Sequence, residues 1–362
     1  MTRHSIGRIL VAVLTLAAVF LPAAAHAQAI VKVNETVFFR IGLQLQAWAD
    51  WNQDPVTSGY AQNLYLRRAR FQLSGQMAPG VTFFFQTDNP NYGKAPKALG
   101  TGFILQDAWL EWKLNDAFAL GGGLFLIPLS RNGLQSTNSF MTFDISPTST
   151  VFSGPTQASN LRDTGFYLKG YLIDKGRLEY RAAATQGIRL PGARNAFRTS
   201  GWLQYNFAEL ERGYVYVGTN LGKKKIVNIS GGYDTQNTYK AYSGDFFANL
   251  PVGPGNELAG QAQWVHYEGG TFLPSIPKQN DYLGELAFYI AAAKFQPFVA
   301  YEDRKHTDTI NKSKNIKWYT AGANYYISGQ NMKLSGRWYR IEPNNGVKKT
   351  NEFTIQIQAF YN

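Results

Sequence analysis

The residues of this chain that could do chemistry are its basic side chains, and the chemistry they suit is the binding of anions. The chain carries 36 Lys and Arg against 24 Asp and Glu, a formal net charge of +12. Converging guanidinium and ammonium groups bind phosphate or carboxylate well, because each anion oxygen accepts several N–H bonds. This excess indicates an anionic partner, such as a small solute anion, a lipid phosphate or nucleic acid.

A first group of cations follows the polar face of segments in which apolar and polar residues alternate. Residues i and i+2 share one face of a strand, so these side chains would all face the inside of a β-barrel. Cations in a water-filled bore raise the local concentration of anions. We expect this group to line a pore: Arg40, Arg68, Arg70, Lys113, Lys169, Arg181 and Arg337.

Carboxylates occupy the same face and leave a second interpretation open. Pairs such as Arg70 with Asp88, or Lys113 with Glu111, could brace the barrel wall instead of meeting solutes. Bracing of the barrel wall is the favoured role for any single charged residue. The cations still outnumber the carboxylates, so some cations would remain to attract anions. The carboxylates concerned are Asp50, Asp88, Asp107, Glu111 and Glu179.

A second group of cations surrounds the longest connection, residues 128–161. Asp144 is the one clear acid of this sparsely charged, polar stretch, which favours passage of small hydrophilic solutes over a dedicated phosphate site. A dedicated anion site needs several converging donors. The best candidates for these donors are Arg189, Arg194 and Arg198, with Arg131 opposite. Alternatively, Arg189, Arg194 and Arg198 form a surface patch that faces lipopolysaccharide.

Catalytic chemistry is not expected. Beyond residue 27 two histidines remain, His266 and His306, and neither has a nucleophile or a metal ligand at a recognisable spacing. The chain has no Cys, which excludes disulfides and thiolate metal sites. We therefore expect no enzyme, no cofactor and no bound metal.

The elements that must position these side chains are strands of roughly ten residues with alternating hydrophobicity. In the first of them, Leu43 and Leu45 alternate with Gln44 and Gln46. Seventeen such segments can be drawn, among them 214–221, whereas a bacterial barrel of one chain takes an even number. We expect an all-β, transmembrane antiparallel β-barrel of 16 strands, with 18 as the alternative.

The first 27 residues indicate a cleaved export signal. They combine a basic start, an apolar stretch and small residues up to Ala27. No later stretch approaches the roughly 20 apolar residues of a spanning helix, and only helices and closed sheets satisfy every backbone group in a membrane. Residues 28–362 are expected to form a single outer-membrane β-barrel, with 128–161 folded inward as a constriction loop. Export makes nucleic acid an unexpected partner.

Four strings of residues resemble the phosphate-selective porin O and P family. They are Leu66-Arg67-Arg68-Ala69-Arg70-Phe71, Gln106-Asp107-Ala108-Trp109-Leu110-Glu111, Gly123-Leu124-Phe125-Leu126-Ile127-Pro128-Leu129-Ser130-Arg131 and Arg162-Asp163-Thr164-Gly165. The resemblance is densest between residues 36 and 185. It implies a sixteen-stranded, trimeric diffusion channel whose eyelet is built by inward-folded loops and basic side chains. It does not by itself imply phosphate as the solute.

Three functions remain, in order of preference. The first is passive diffusion of small hydrophilic solutes with anion preference, through a constriction lined by Arg131 and the lumen-facing cations. The channel would be a homotrimer set in lipopolysaccharide and outer-membrane lipid of a Gram-negative bacterium. The second is a saturable channel for phosphate or another oxyanion, using Arg131, Arg189, Arg194 and Arg198. The third is a structural or adhesive barrel with a closed bore, whose basic loops bind lipopolysaccharide or host polymers.

Overall fold

Sixteen antiparallel strands close into a β-barrel. A computed structural model describes residues 29–97, 99, 102–174, 176–189 and 195–361. Each barrel strand pairs with its neighbours in sequence, and the last strand pairs with the first from Tyr361 opposite Leu43 to Glu352 opposite Asn52. The predicted fold class and strand number are confirmed. No helix among the described residues is long and apolar enough to cross a membrane.

The strands are numbered from a short N-terminal strand, β1 (Ala29–Lys32), which pairs with the start of β2 outside the sixteen. The barrel strands are β2 (Phe38–Gln53), β3 (Tyr60–Ala78), β4 (Val81–Asp88), β5 (Ile104–Asn115), β6 (Phe118–Leu126), β7 (Arg162–Leu172), β8 (Leu178–Thr185), β9 (Arg198–Asn206), β10 (Ile226–Gln236), β11 (Tyr239–Val252), β12 (Asn256–Glu268), β13 (Gln279–Tyr289), β14 (Phe295–His306), β15 (Ile316–Ser328), β16 (Met332–Pro343) and β17 (Thr350–Tyr361). In the part of the chain that the structure describes, three short 3₁₀ helices cover Asn132–Leu134, Pro147–Ser149 and Lys312–Lys314.

The alternation of side chains along the strands produces a polar interior and an apolar exterior. On β2, Gln44 and Gln46 are buried inside the barrel, whereas Leu43 and Leu45 are about half exposed on its outer surface. A strand places successive side chains on opposite faces, so one face suits hydrocarbon and the other suits water. The pattern read from the sequence for this strand is confirmed.

The two ends of the barrel carry different connections. One end, here called the turn end, holds short links such as Pro79-Gly80 and Gly329-Gln330-Asn331. The opposite end, here called the loop end, holds longer connections such as 269–278 and 307–315. In barrels of this type short turns face the periplasm and long loops face outward.

The predicted strand 214–221 is wrong. Residues 207–225 instead leave β9 at the turn end and fold into the bore; we call them the insert. Tyr216 is fully buried there, and the hydroxyl of Tyr214 donates to Asp107 at 2.7 Å. The Tyr-Val-Tyr-Val alternation of this stretch imitates a strand, but its tyrosines bury against lumen-facing groups instead of pairing in the sheet.

Candidate functional site

A long connection between β6 and β7, residues 127–161, folds into the bore and is here called the inner loop. Its two ends meet where the amide of Ile127 donates to the carbonyl of Leu161 at 2.9 Å. Most of its residues are buried. Apolar side chains such as Leu129, Leu134 and Phe152 pack in one cluster with Trp202 of β9. This cluster therefore holds one part of the inner loop against the barrel wall at β9.

The insert meets the inner loop from the turn end. The amide of Ser136 donates to the carbonyl of Tyr216 at 2.8 Å, and the amide of Tyr216 donates to Leu134 at 2.9 Å. Arg181 of β8 donates to the backbone carbonyls of Gly213 and Tyr214 at 2.9 and 2.8 Å. Backbone pairing and this arginine fix the insert inside the bore.

Arg131 clamps the inner loop to the insert. Its guanidinium donates to both carboxylate oxygens of Glu211 at 2.7 and 3.0 Å and to the carbonyl of Val217 at 3.0 Å. The guanidinium carbon lies 3.5 Å from the ring centre of Phe247, and the side chain is fully buried. Arg131 is thus buried between the inner loop, the insert and the barrel wall in a bidentate ion pair, and it does not line the bore as the sequence predicts.

Arg198 has a similar setting near the loop end. It donates to the two oxygens of Asp234 at 2.7 and 2.5 Å and to the hydroxyl of Thr156 at 2.9 Å. Its side chain is fully buried against the ring of Phe152.

The inner loop and the insert both pack on the lumen wall that strands β8 to β12 form. We call this wall, together with the parts of the two segments that pack on it, the closed side.

Among the described residues, two cavities lie on the rest of the lumen wall, which we call the open side. One, of about 400 Å³, lies between the inner loop and strands β3 to β7 and β13 to β16. The other, of about 530 Å³, lies between β2 to β5 and the insert. The two cavities adjoin, because they share four lining residues: Arg70, Gln135, Thr137 and Arg162.

A β-bulge shapes the basic wall of the first cavity. In the pairing of β2 with β3, Gln46 stands opposite Arg68 and Ala47 opposite Leu66, so Arg67 is an extra residue. A bulge of this kind turns two successive side chains toward one face. Arg67 and Arg68 both reach Asp144 of the inner loop, at 2.9 and 2.5 Å.

Asp144 is held ionised by these two arginines. Burial acts to raise the pKa of its carboxyl, but the guanidinium groups of Arg67 and Arg68 outweigh burial and hold the pKa well below its ordinary value. The carboxylate therefore neutralises part of the positive charge on this wall.

The junction of the two cavities has its own ion pairs. Arg70 donates to Asp88 at 2.9 Å and to the hydroxyl of Thr137 at 2.8 Å. Arg162 donates to both oxygens of Asp107 at 3.2 and 3.1 Å. Each guanidinium has a carboxylate partner, yet both line the two cavities.

The opposite wall of the first cavity is acidic. Glu285 of β13 accepts from the hydroxyl of Thr142 at 2.6 Å, and Glu302 of β14 accepts from the hydroxyl of Ser146. Arg337 of β16 lies beside them on the same cavity. The inner loop therefore spans the bore between a basic wall and an acidic wall.

The other predicted pore residues lie away from the junction. Arg40 lines the second cavity and is exposed. Lys169 pairs with Glu111 at 2.7 Å, whereas Lys113 pairs with Asp116 at 2.6 Å and not with Glu111. Together with Arg181, these residues lie outside the lining of the first cavity.

The predicted anion-binding group is not brought together among the described residues. Arg189 donates to the carbonyls of Asn195 and Ala196 within its own loop and stacks on the ring of Phe197. Arg198 is committed to Asp234, and Arg131 to Glu211. Arg194 lies outside the described residues, as do the first 28 residues with the proposed export signal.

Two arginines of the site were not singled out from the sequence. Arg67 falls on the outer face by strict alternation, and only the bulge turns it inward. Arg162 opens the string that resembles the start of a strand, and its pairing with Asp107 spans 55 positions, which no local pattern predicts. The one available signal is the run Arg67-Arg68. Strict alternation would place one of these two charges on the lipid-facing surface of the strand, where a charge is costly.

Solved structures with similar folds include porins of the bacterial outer membrane. The Pseudomonas putida OprB structure has a TM-score of 0.63 at 10% identity and covers 89% of this chain and 94% of its own. The outer membrane channel DcaP of Acinetobacter baumannii gives 0.58 at 10% identity, covering 91% and 99%. Salmonella typhi OmpF, in complex with daunomycin, gives 0.57 at 12% identity, covering 91% and 99%. Identities this low show the fold alone.

The fold and the lined bore define a class, the outer-membrane channels of the porin type, located in the outer membrane of a Gram-negative bacterium. Residues 39–162 match the model of the phosphate-selective porin O and P family, and the resemblance read from the sequence is confirmed over that range. No curated protein sequence matches the chain.

Proposed function

We propose that this protein is a passive diffusion channel for small hydrophilic solutes with a modest preference for anions. The observation that carries the proposal is the pair of adjoining cavities on the open side, which share Arg70 and Arg162 at their junction. Solutes would pass from the loop end through the first cavity, between these two arginines, and leave through the second. The proposal involves no reaction chemistry.

The lining supports passage rather than tight binding. Hydroxyl and amide groups such as Thr137, Gln135 and Ser153 contribute to it beside the charges. Groups of this kind replace part of a solute's hydration without holding a particular ion. Many small hydrophilic solutes would therefore pass.

The charge of the lining supports anion preference of limited strength. Six arginines and five carboxyl groups line the two cavities. In the second cavity the balance is more positive, with Arg40, Arg70 and Arg162 against Asp107. Positive charge along low-dielectric walls attracts anions, but each paired carboxylate screens its arginine.

A phosphate-specific channel is the second candidate, favoured by the arginines at the junction. Phosphate would have to compete there with Asp88 for Arg70 and with Asp107 for Arg162. A dedicated oxyanion site needs free, converging donors, so we prefer the general channel. A homotrimer and contacts with lipopolysaccharide belong to the same proposal.

The test is single-channel conductance and zero-current potential of the refolded protein in a chloride gradient, repeated with added phosphate. Ohmic, anion-selective current that phosphate does not block is the expected result. Block at low phosphate concentration would favour the oxyanion channel. A folded barrel without conductance would contradict both channels and favour a structural or adhesive role.

A further inference from the structure

Arg337 differs from the other four arginines that line the first cavity. Each of those four donates a hydrogen bond to a carboxylate. Among the described residues Arg337 makes no hydrogen bond, and the carboxylate of Glu352 lies 3.9 Å from its Nη2 atom. Its Nε atom is buried without a partner. Arg337 therefore keeps its hydrogen-bonding capacity unused beside the cavity.

Three aromatic rings surround this guanidinium. Its central carbon lies 4.7 Å from the ring centre of Tyr339, 4.9 Å from Phe143 and 5.5 Å from Trp48. The Trp48 ring is itself fixed, because its indole nitrogen donates to Gln356 at 2.7 Å. Ring faces attract a guanidinium without using its N–H groups. The arrangement holds the charge in place and leaves its donors for another molecule.

The surroundings of Arg337 are suited to an apolar body attached to an anion. Phe140, Ile145 and Ala300 line the same cavity. The cavity, about 400 Å³, lies within the range of roughly 300–1,000 Å³ that is usual for small-molecule sites. Phosphate has no apolar surface to bury here and needs several free donors, whereas a single carboxylate can be bound by one guanidinium fork.

We propose that Arg337, with the rings of Trp48, Phe143 and Tyr339, is a binding subsite for organic anions that carry one carboxylate on an aromatic body. This inference rests on the proposed channel function, because such solutes must reach the first cavity through an open bore. The carboxylate would accept from the Nη atoms of Arg337, and the ring would pack on the apolar lining. Glu302 nearby, which accepts from Ser146, disfavours small anions that lack this apolar contact.

The test compares three anions as inhibitors of chloride current through the refolded protein in a planar bilayer. Benzoate is expected to reduce the current saturably, at concentrations where acetate and inorganic phosphate have little effect. Acetate controls for the carboxylate without the ring, and phosphate controls for charge.

Two variants assign the effect to the subsite. Arg337→Gln is expected to raise the half-inhibiting benzoate concentration about tenfold, as for one lost charge-assisted hydrogen bond. Phe143→Leu, which keeps an apolar group and removes the ring, is expected to raise it a few-fold. The matched control is Arg340→Gln, three positions along the same strand, where Arg340 pairs with Glu342 at 2.7 Å; it is expected to leave inhibition unchanged.

The outcomes separate the two proposals. Equal inhibition by all three anions, or equal loss of inhibition in Arg337→Gln and Arg340→Gln, would overturn the subsite and leave the channel standing. If Arg337→Gln does not fold, unchanged benzoate inhibition in Phe143→Leu would overturn it instead. A folded wild-type barrel that does not conduct would overturn the channel function and the subsite with it.

Discussion

The closed side and the open side of the bore use the same kind of ion pair for different purposes. On the closed side, Arg131 forms a bidentate pair with Glu211, and Arg198 forms one with Asp234. Both arginine side chains are fully buried. On the open side, Arg70 and Arg162 are also paired with carboxylates, yet they line cavities. The difference arises because the inner loop and the insert pack around Arg131 and Arg198 without leaving a cavity, whereas cavities remain beside the arginines of the open side. A lumen-facing arginine is therefore a pore residue only where these two segments leave it uncovered.

The largest effect is expected when the ion pair of Arg131 with Glu211 on the closed side is removed. Arg131→Met leaves the carboxylate of Glu211 buried without its partner, a change that typically costs about 3–5 kcal/mol. We expect the free energy of unfolding in urea to fall by that order, with little change in the ion selectivity of the channels that still fold.

The control for the clamp is the double variant Arg131→Met, Glu211→Gln. It removes both charges, and it is expected to recover more than half of the lost stability because no unpaired charge remains buried. A large shift of the zero-current potential in Arg131→Met, with stability unchanged, would instead place Arg131 on the solute pathway.

A second change tests how tightly the inner loop packs on the closed side. At Gly232 of β10, an added Cβ would lie 2.0 Å from the carbonyl oxygen of Leu129 in the inner loop. Overpacking of this kind typically costs 1–3 kcal/mol, so Gly232→Ala should lower the urea midpoint. Gly336→Ala is the control, because an added Cβ there meets nothing within 4 Å; equal behaviour of the two variants would show that the inner loop is not packed as described.

Removal of a carboxylate from the basic wall tests whether the open side determines the ion selectivity. Asp144→Asn removes the carboxylate that neutralises Arg67 and Arg68. A unit charge at about 4 Å is worth about 1 kcal/mol in water, so the anion-to-cation permeability ratio should rise on the order of fivefold. The matched control is Asp116→Asn at an exposed turn, where Lys113 and Arg212 are the partners. A ratio that rises equally in both variants would remove the basic wall from the pathway.

The smallest expected effect is a pH dependence at Asp144. Arg67 and Arg68 face this carboxylate, and its pKa in the folded protein is well below the ordinary value near 3.9. A lowered pKa contributes stability that is present above the unfolded pKa and is lost as pH falls through the folded pKa. The difference in unfolding free energy between wild type and Asp144→Asn should therefore be constant from about pH 8 to about pH 5 and shrink below about pH 4. A difference that grows as the pH falls would contradict the pairing.

The regular part of the molecule could be predicted from its sequence, because it depends on local alternation. Gln44 and Gln46 face inward and Leu43 and Leu45 outward, as the period of two requires. The pair Arg70 and Asp88 could also be anticipated, since the two residues stand opposite each other on neighbouring strands.

The irregular part could not be predicted, because it depends on contacts between distant segments. A bulge reverses the alternation at Arg67, and the run Arg67-Arg68 is the one local sign of it. The pairing of Arg131 with Glu211 joins residues 80 positions apart and requires the insert to enter the bore. Alternation therefore indicated the inward face of Arg68 and Arg70, but neither the inward turn of Arg67 nor the burial of Arg131 against the insert.

Cysteine accessibility tests most directly the claim that solutes pass along the open side. The chain has no Cys, so a single cysteine can be introduced at Thr137, which lines both cavities, or at Ser200, a buried lumen-facing position on β9. A charged, water-soluble thiol reagent is then added during conductance recording, with the wild type as control. We expect a lasting loss of current in Thr137→Cys and no change in Ser200→Cys. Loss of current in Ser200→Cys, with Thr137→Cys unaffected, would contradict it.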